Sequence, residues 1–232
     1  RRLMICKNIT LKMIHLLFGP DGSRRYAKAK GMPFVEAYEI AARRVVEVVD
    51  WSFRDHKIDE LSLAALTSYN LNRNTAQLQP ILSAIINGIG YICESDVVKD
   101  LELRVRVIGE LDRFLQLYSG DKSKLEESLS KVQSHSGKII NVLMAYDANE
   151  EKRCAEQLCR EEGVEPTFEN LAVRHSIPPI TIFIRIGQSE GTNKISCYLP
   201  GIEKARLIST VLYPQELTKE EFNRLLNLAI TK

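Results

Sequence analysis

The run Ile14-His-Leu-Leu-Phe-Gly-Pro-Asp-Gly-Ser-Arg-Arg-Tyr-Ala-Lys-Ala-Lys-Gly31 decides how this chain is read. A Leu-rich apolar segment ends in Gly-Pro-Asp-Gly, two arginines follow at once, and good helix formers come next. That order predicts a buried strand, a tight turn and a helix start. The turn concentrates a carboxylate (Asp21), a permissive glycine (Gly22), a hydroxyl (Ser23) and two guanidinium groups (Arg24, Arg25). Backbone N–H groups at a helix N-terminus, together with arginines, favour an anion, phosphate above all. A carboxylate among arginines suits a site that also holds Mg²⁺ on a phosphate. The same residues have a plainer reading, an ordinary Pro-Asp-Gly turn with Asp21 as a helix N-cap.

Outward from this turn, strand and helix patterns alternate. Val35–Phe53 places Tyr38, Ala42, Val45, Val46, Val49 and Phe53 on one helical face, with Tyr38 expected half-buried. Glu60–Leu66 reads as a strand that runs into the polar loop Thr67-Ser-Tyr-Asn-Leu-Asn-Arg73. In open α/β sheets ligands sit outside the carboxyl ends of strands, so this loop is a second candidate site. Ala76–Cys93 is the clearest amphipathic helix; Gly88 and Gly90 are expected to mark its fraying end or, as the alternative, to open space for something apolar. Strands follow at Leu101–Ile108 and Lys138–Ala145, with a short polar helix at Asp121–Gln133 and a charged helix at Asn149–Glu162. A strand over Pro178–Ile184 delivers Arg185 at its end, a Gly/Ser/Asn-rich loop spans Gly187–Asn193, and a short apolar strand lies around Leu207–Leu212. The last helix starts at Thr218, with Glu221 completing a capping box. This alternation predicts one α/β domain over residues 1–232, built on a mostly parallel sheet flanked by helices.

Composition narrows the function. At 232 residues, 44% hydrophobic and 27% charged, the chain can bury a sizeable core. A net charge of +2 argues against nucleic acid as a partner. No apolar run reaches membrane-spanning length and the first residues lack a signal-peptide pattern, so a cytoplasmic location is expected. The five cysteines are scattered without paired metal-ligand spacing, which predicts reduced thiols and no zinc site. His15, inside the first strand, is expected to be a hydrogen-bonded core residue. Arg73 and Arg185 have plain readings too, as a solvated loop arginine and as a partner for strand-end carbonyls.

Motifs along almost the whole chain resemble the cis-prenyltransferase family, the undecaprenyl diphosphate synthase fold. The family's Asp-Gly-Asn-Gly-Arg-Trp-Ala and Gly-x-Pro are matched by Asp21-Gly-Ser-Arg-Arg-Tyr-Ala27 and Gly31-Met-Pro33. Its Ser-x-x-Asn-x-x-Arg loop is matched by Thr67, Asn70 and Arg73, and its Arg-Val-Ile-Gly-Asp-Leu by Arg106-Val-Ile-Gly-Glu-Leu111. Asn141 to Tyr146 and Val211-Leu-Tyr-Pro214 complete the series. The resemblance implies an apolar tunnel lined by Leu82, Ile85, Ile86 and Ile89, homodimers, and prenyl diphosphate substrates. It implies that Asp21 is the key acid and Mg²⁺ ligand, with Gly22, Ser23, Arg24, Arg25 and Arg73 around the donor diphosphate. Thr67 and Asn70 would assist proton removal, and Arg185, Lys194 and Ser196 would hold the second diphosphate.

The departures point to specialised isoprenoid metabolism. The family's Arg-x-x-Gly-His is Phe34-Val-Glu-Ala-Tyr38 here, the loop aromatic is Leu71 and its neighbouring Glu is Tyr69. Near the C-terminus, Ile202-Glu-Lys-Ala-Arg206 lacks an aligned second acid, though Glu203 stands nearby. Lys194 replaces a fork-shaped arginine with a point charge. The first loop and helix are similar to the divergent cyclolavandulyl diphosphate synthase branch. The expectation is therefore a transferase that ionises a short allylic diphosphate and couples it to a second one in irregular fashion. Two alternatives accompany it, a terpene cyclase using one substrate and a non-catalytic partner subunit.

Overall fold

The computed structural model describes residues 13–167, 170, 171, 173, 175–187, 201, 202 and 204–230. Its centre is a six-stranded sheet with order β3-β4-β2-β1-β5-β6, in which every pairing is parallel. The strands are β1 (His15–Pro20), β2 (Glu60–Ala64), β3 (Arg104–Ile108), β4 (Ile139–Leu143), β5 (Ile182–Ile186) and β6 (Arg206–Ser209). The helices are α1 (Ser23–Lys30), α2 (Phe34–Asp50), α3 (Thr75–Glu94), α4 (Asp96–Asp100), α5 (Leu111–Leu117), α6 (Ser123–Ser130), α7 (Ala148–Glu161) and α8 (Lys219–Ile230). Thr218 accepts the Glu221 amide at 3.3 Å at the start of α8, as the capping box requires.

Successive strand residues face opposite sides, and the central strands are apolar on both. Leu16 and Phe18 enter the large core with α2, α3 and α8, whereas Leu17 packs with Ile177, Ile180 and Phe183 on the other face. His15 shares that second face and is fully buried. Its Nδ1 lies 3.0 Å from the Pro178 carbonyl and its Nε2 lies 2.8 Å from the Ser62 hydroxyl. A carbonyl only accepts, so Nδ1 carries the proton and Ser62 donates to Nε2. Beyond Ser62 the polar chain crosses the sheet through Asn141 to Glu60 (2.6 Å) and Arg106, which donates to Asn141 Oδ1 at 2.9 Å.

Some boundaries move from the sequence expectation for clear reasons. β5 begins at Ile182 rather than Pro178, because neither Pro178 nor Pro179 has an N–H to give a ladder. α3 does not fray at its glycines but runs unbroken to Glu94. A Cβ on Gly88 would meet Ala42 of α2 at 3.4 Å, and one on Gly90 would meet Ser128 of α6 at 3.3 Å. The two glycines mark helix crossings. The expected strand Leu207–Leu212 is shorter and shifted, to Arg206–Ser209. Residues Lys194–Pro200 lie outside the described part.

Candidate active site

The strand order reverses around β1, which has β2 on one side and β5 on the other. A crevice at such a switch point, beyond the carboxyl ends of parallel strands, is where open α/β sheets bind ligands. Here that crevice is built by the turn after β1. The Asp21 amide donates to Gly19 (3.0 Å) and to Ile186 of β5 (3.2 Å), which fixes the turn on the neighbouring strand. Gly22 sits at φ 97°, and a Cβ there would lie 2.8 Å from the Tyr213 ring. Gly187 faces it at φ 70°, where a Cβ would overlap the Asp21 carbonyl oxygen. Only glycine suits either position.

Asp21 is not a helix cap. Gly22 occupies the cap position of α1, and no side chain caps that helix. One Asp21 oxygen accepts the Gly22 amide at 2.6 Å. The other lies 3.2 Å from Arg185 Nη2 and 3.4 Å from Arg25 Nη2, with the carboxylate half exposed. Three expected site residues from two strand ends are thus in one cluster.

Arg24 and Arg73 form a second cationic group, and it differs in kind. Arg24 donates to Gln77 Oε1 at 2.9 Å. Arg73 donates to Asn70 Oδ1, and Asn70 Nδ2 donates to Thr67 Oγ1 at 2.8 Å. These tethers are neutral amides and hydroxyls, so they fix the guanidiniums without cancelling their charge. Burial first, and the nearby Arg24 charge second, lower the pKa of Arg73. Burial raises that of the Tyr38 phenol, while Arg73 and Arg24 oppose the rise. Two close cations with neutral tethers attract an anion that can take several N–H donors at once.

An apolar cavity of about 100 Å³ opens beside this cluster. Pro20, Ser23 and Tyr38 line it, with small residues such as Ala42 and Gly88 where α2 meets α3. Of the four expected tunnel residues, Ile85 and Ile89 line the cavity. Leu82 and Ile86 are fully buried in the main core and are not part of its wall. Their places go to Ile81, Ala84 and Ile92, which share the Ile85 stripe at helical spacing.

Lys194, Ser196 and Glu203 lie outside the described residues. Gln77, the wall residues Ala41, Ala42 and Ala84, and Gly187 were not singled out from sequence. Gln77, in the first turn of α3, carries no sequence signal of its own and is found only through Arg24. Tyr38 is buried at 9% exposure rather than half-buried. Asn141 sits in the polar chain across the sheet, away from the cluster, while Tyr146 forms a bridge with Thr67.

Among the described residues no three His, Cys, Asp or Glu side chains group to hold a metal. Mg²⁺ in phosphate sites commonly takes one or two carboxylates and completes its shell with phosphate oxygens and water. Asp21, half exposed beside the Arg24/Arg73 pair, fits that role when a diphosphate is bound.

Comparison with known proteins places this arrangement. Over 156 residues the chain is 27% identical to the tritrans,polycis-undecaprenyl-diphosphate synthase (geranylgeranyl-diphosphate specific) of Pyrobaculum aerophilum, covering 66% of this chain and 64% of that protein. The chain thus spans a little under two thirds of that relative's length. The Halobacterium salinarum protein of the same name is 24% identical over 212 residues, 87% of this chain and 69% of its own. The lavandulyl diphosphate synthase of Lavandula x intermedia, solved with dimethylallyl diphosphate, superposes with a TM-score of 0.76. That alignment covers 94% of this chain and 95% of the other at 15% identity, a likeness of fold. Among the described residues no helix is long and apolar enough to cross a membrane. The undecaprenyl diphosphate synthase family model matches residues 20–228, from the Asp21 turn to α8, and the chain belongs to that prenyltransferase family.

Proposed function

We propose that this chain is a prenyltransferase that ionises a short allylic diphosphate and joins its prenyl group, in irregular fashion, to a second prenyl diphosphate. The observation that carries the reading is the position of Arg24 and Arg73. Both are held by neutral side-chain amides, and Arg24 follows Ser23, which lines the apolar cavity. In this reading the diphosphate binds the two guanidiniums and the uncapped amides at the start of α1, and the hydrocarbon tail enters the cavity.

The chemistry follows from the charge. Breaking the allylic C–O bond sends the electron pair to the diphosphate, and fixed donors lower the barrier by meeting that charge as it develops. Mg²⁺ held by Asp21 would supply Lewis-acid assistance on the diphosphate when bound. The apolar wall keeps water from the cation until the second substrate arrives. Thr67 and Asn70, hydrogen-bonded to one another, with Asn70 also accepting from Arg73, would assist removal of the proton lost after coupling. Arg185, with Lys194 and Ser196, would hold the second diphosphate.

The cavity is small, about 100 Å³ against the roughly 150 Å³ that accommodates a benzene-sized guest, which favours the shortest allylic donors over long ones. The enzyme is further proposed to act in the cytoplasm, and as a homodimer, which sizing by light scattering would check. The functional test is incubation with dimethylallyl or geranyl diphosphate and Mg²⁺. A larger diphosphate product supports the transferase, a hydrocarbon or alcohol from one substrate supports a cyclase, and no turnover supports a partner subunit.

A further inference from the structure

The start of α1 leans on a segment from the far end of the chain. Gly22 has no side chain, and a Cβ there would stand 2.8 Å from Cδ1 of Tyr213. The edge of the Tyr213 ring therefore fills the notch that the glycine leaves. The same ring meets Tyr26 edge to face, with centroids 5.7 Å apart and planes at 66°. Gly22 and Tyr26 close the first turn of α1, where the Tyr26 amide donates to the Gly22 carbonyl at 2.9 Å. One aromatic ring thus bears on both ends of that turn, and Ser23, Arg24 and Arg25 lie inside it.

Tyr213 is itself fixed on either side. Before it, the Leu212 carbonyl accepts the Gly187 amide at 2.6 Å, and Gly187 is the glycine packed on the Asp21 carbonyl. After it, the buried Gln215 donates through Nε2 to the Ala37 carbonyl of α2 at 2.7 Å, and Leu217 is fully buried in the main core. Glu216 pairs at 3.6 Å with Lys30, whose ammonium lies 5.6 Å from the centre of the Tyr26 ring. By contrast α1 has little to hold it in place alone. It is eight residues long, with no side-chain cap and no acidic residue in its first turn. So short a helix is marginal in isolation, and packing must place its start.

We propose that Tyr213 is a positioning residue for the prenyl-transfer site. It acts through Gly22 and Tyr26, holding the first turn of α1 so that Asp21, Arg24 and the free amides of the helix start meet the diphosphate together. The inference rests on the prenyl diphosphate reading above and names a residue on which that site depends without touching substrate. The flat ring does this work, and its hydroxyl does not.

Tyr213→Phe keeps the ring and should behave as the wild type. Tyr213→Ala empties the notch, and Tyr213→Leu, the milder change, refills part of it without a flat edge. Both should bind inorganic pyrophosphate about tenfold more weakly by calorimetry. Both should lower kcat with dimethylallyl diphosphate on the order of a hundredfold, because the donors of the site are misplaced. Val132→Ala truncates the core beside β3 and measures lost stability alone. Its melting temperature should fall while its pyrophosphate affinity stays that of the wild type. If the Ala and Leu variants lose pyrophosphate affinity but the wild type turns over no prenyl diphosphate, the transferase reading fails and the assignment of Tyr213 stands. The assignment is overturned if the folded Ala or Leu variant keeps the wild-type affinity, if Val132→Ala loses it equally, or if Tyr213→Phe loses as much as Tyr213→Ala.

Discussion

Asp21 Oδ2 lies 3.2 Å from Nη2 of Arg185, so the carboxyl ends of β1 and β5 are joined by an ion pair across the switch point of the sheet. The two residues are far apart in sequence, and only the parallel pairing of Gly19 with Arg185 brings them together. The pair is half open to solvent on the Asp21 side, where screening leaves little net stabilisation. Its interest lies in what it positions: a carboxylate beside a cationic site, with an arginine directed at the same crevice.

Arg185→Ala tests whether two diphosphates bind separately. If Arg185 serves the second substrate, its loss should raise KM for that substrate at least tenfold and leave donor KM within about threefold. Arg73→Ala should do the reverse, because Arg73 is the arginine proposed for the donor diphosphate. Steady-state kinetics with each substrate varied in turn reads both.

Gly187→Ala should be destabilising and damaging to activity together. The residue has φ 70°, and its missing side chain makes room for the Asp21 carbonyl. The added methyl group must push the Asp21 turn off β5, at a cost of about 1–3 kcal/mol. Urea titration measures that loss. Turnover measured well below the transition should fall as well, because the turn moves.

Most of the fold was legible in the sequence, and the reasons are local. Ile14–Gly31 carried the strand, turn and helix start because apolar content, Gly-Pro-Asp-Gly and helix formers agree on boundaries. The helix of α3 was equally clear, yet its glycines were misread as an end. Propensity describes the single helix, whereas Gly88 stands where α3 meets α2 and lines the cavity. The resemblance put Leu82 and Ile86 in the tunnel with Ile85 and Ile89, yet only the latter two line the cavity. An apolar stripe does not say which of its edges faces a void and which faces a packed core. Gln77 went unnoticed because an isolated amide has no signature until Arg24 is found against it.

Gly88→Ala separates the cavity from the rest of the site. A Cβ at this position meets Ala42 at 3.4 Å, an ordinary contact, so helix propensity should raise stability by up to about 1 kcal/mol. The same methyl narrows the cavity wall. Thermal melts should show no loss, while kcat/KM for geranyl diphosphate should fall several-fold more than that for dimethylallyl diphosphate.

Acid should weaken the fold through His15. Burial holds its pKa below the ordinary value of about 6.5, against an opposing pull from Glu60 and with Arg106 adding to the lowering. The neutral ring is the folded form, so the unfolded chain binds the extra proton. Stability from this group is therefore complete above about pH 6.5 and is lost as pH falls from there toward the lowered folded value. Urea midpoints should drop between pH 7.5 and pH 5. His15→Asn should be less stable at pH 7.5 and show a shallower drop.

The most direct measurement of the central claim is pyrophosphate release from dimethylallyl diphosphate and a second prenyl diphosphate with Mg²⁺, for the wild type and for Asp21→Asn. The wild type should release pyrophosphate as product forms. The variant should melt within about 4 °C of it and be slower by a hundredfold or more. Release by Asp21→Asn at the wild-type rate, or none from the wild type, would contradict the account.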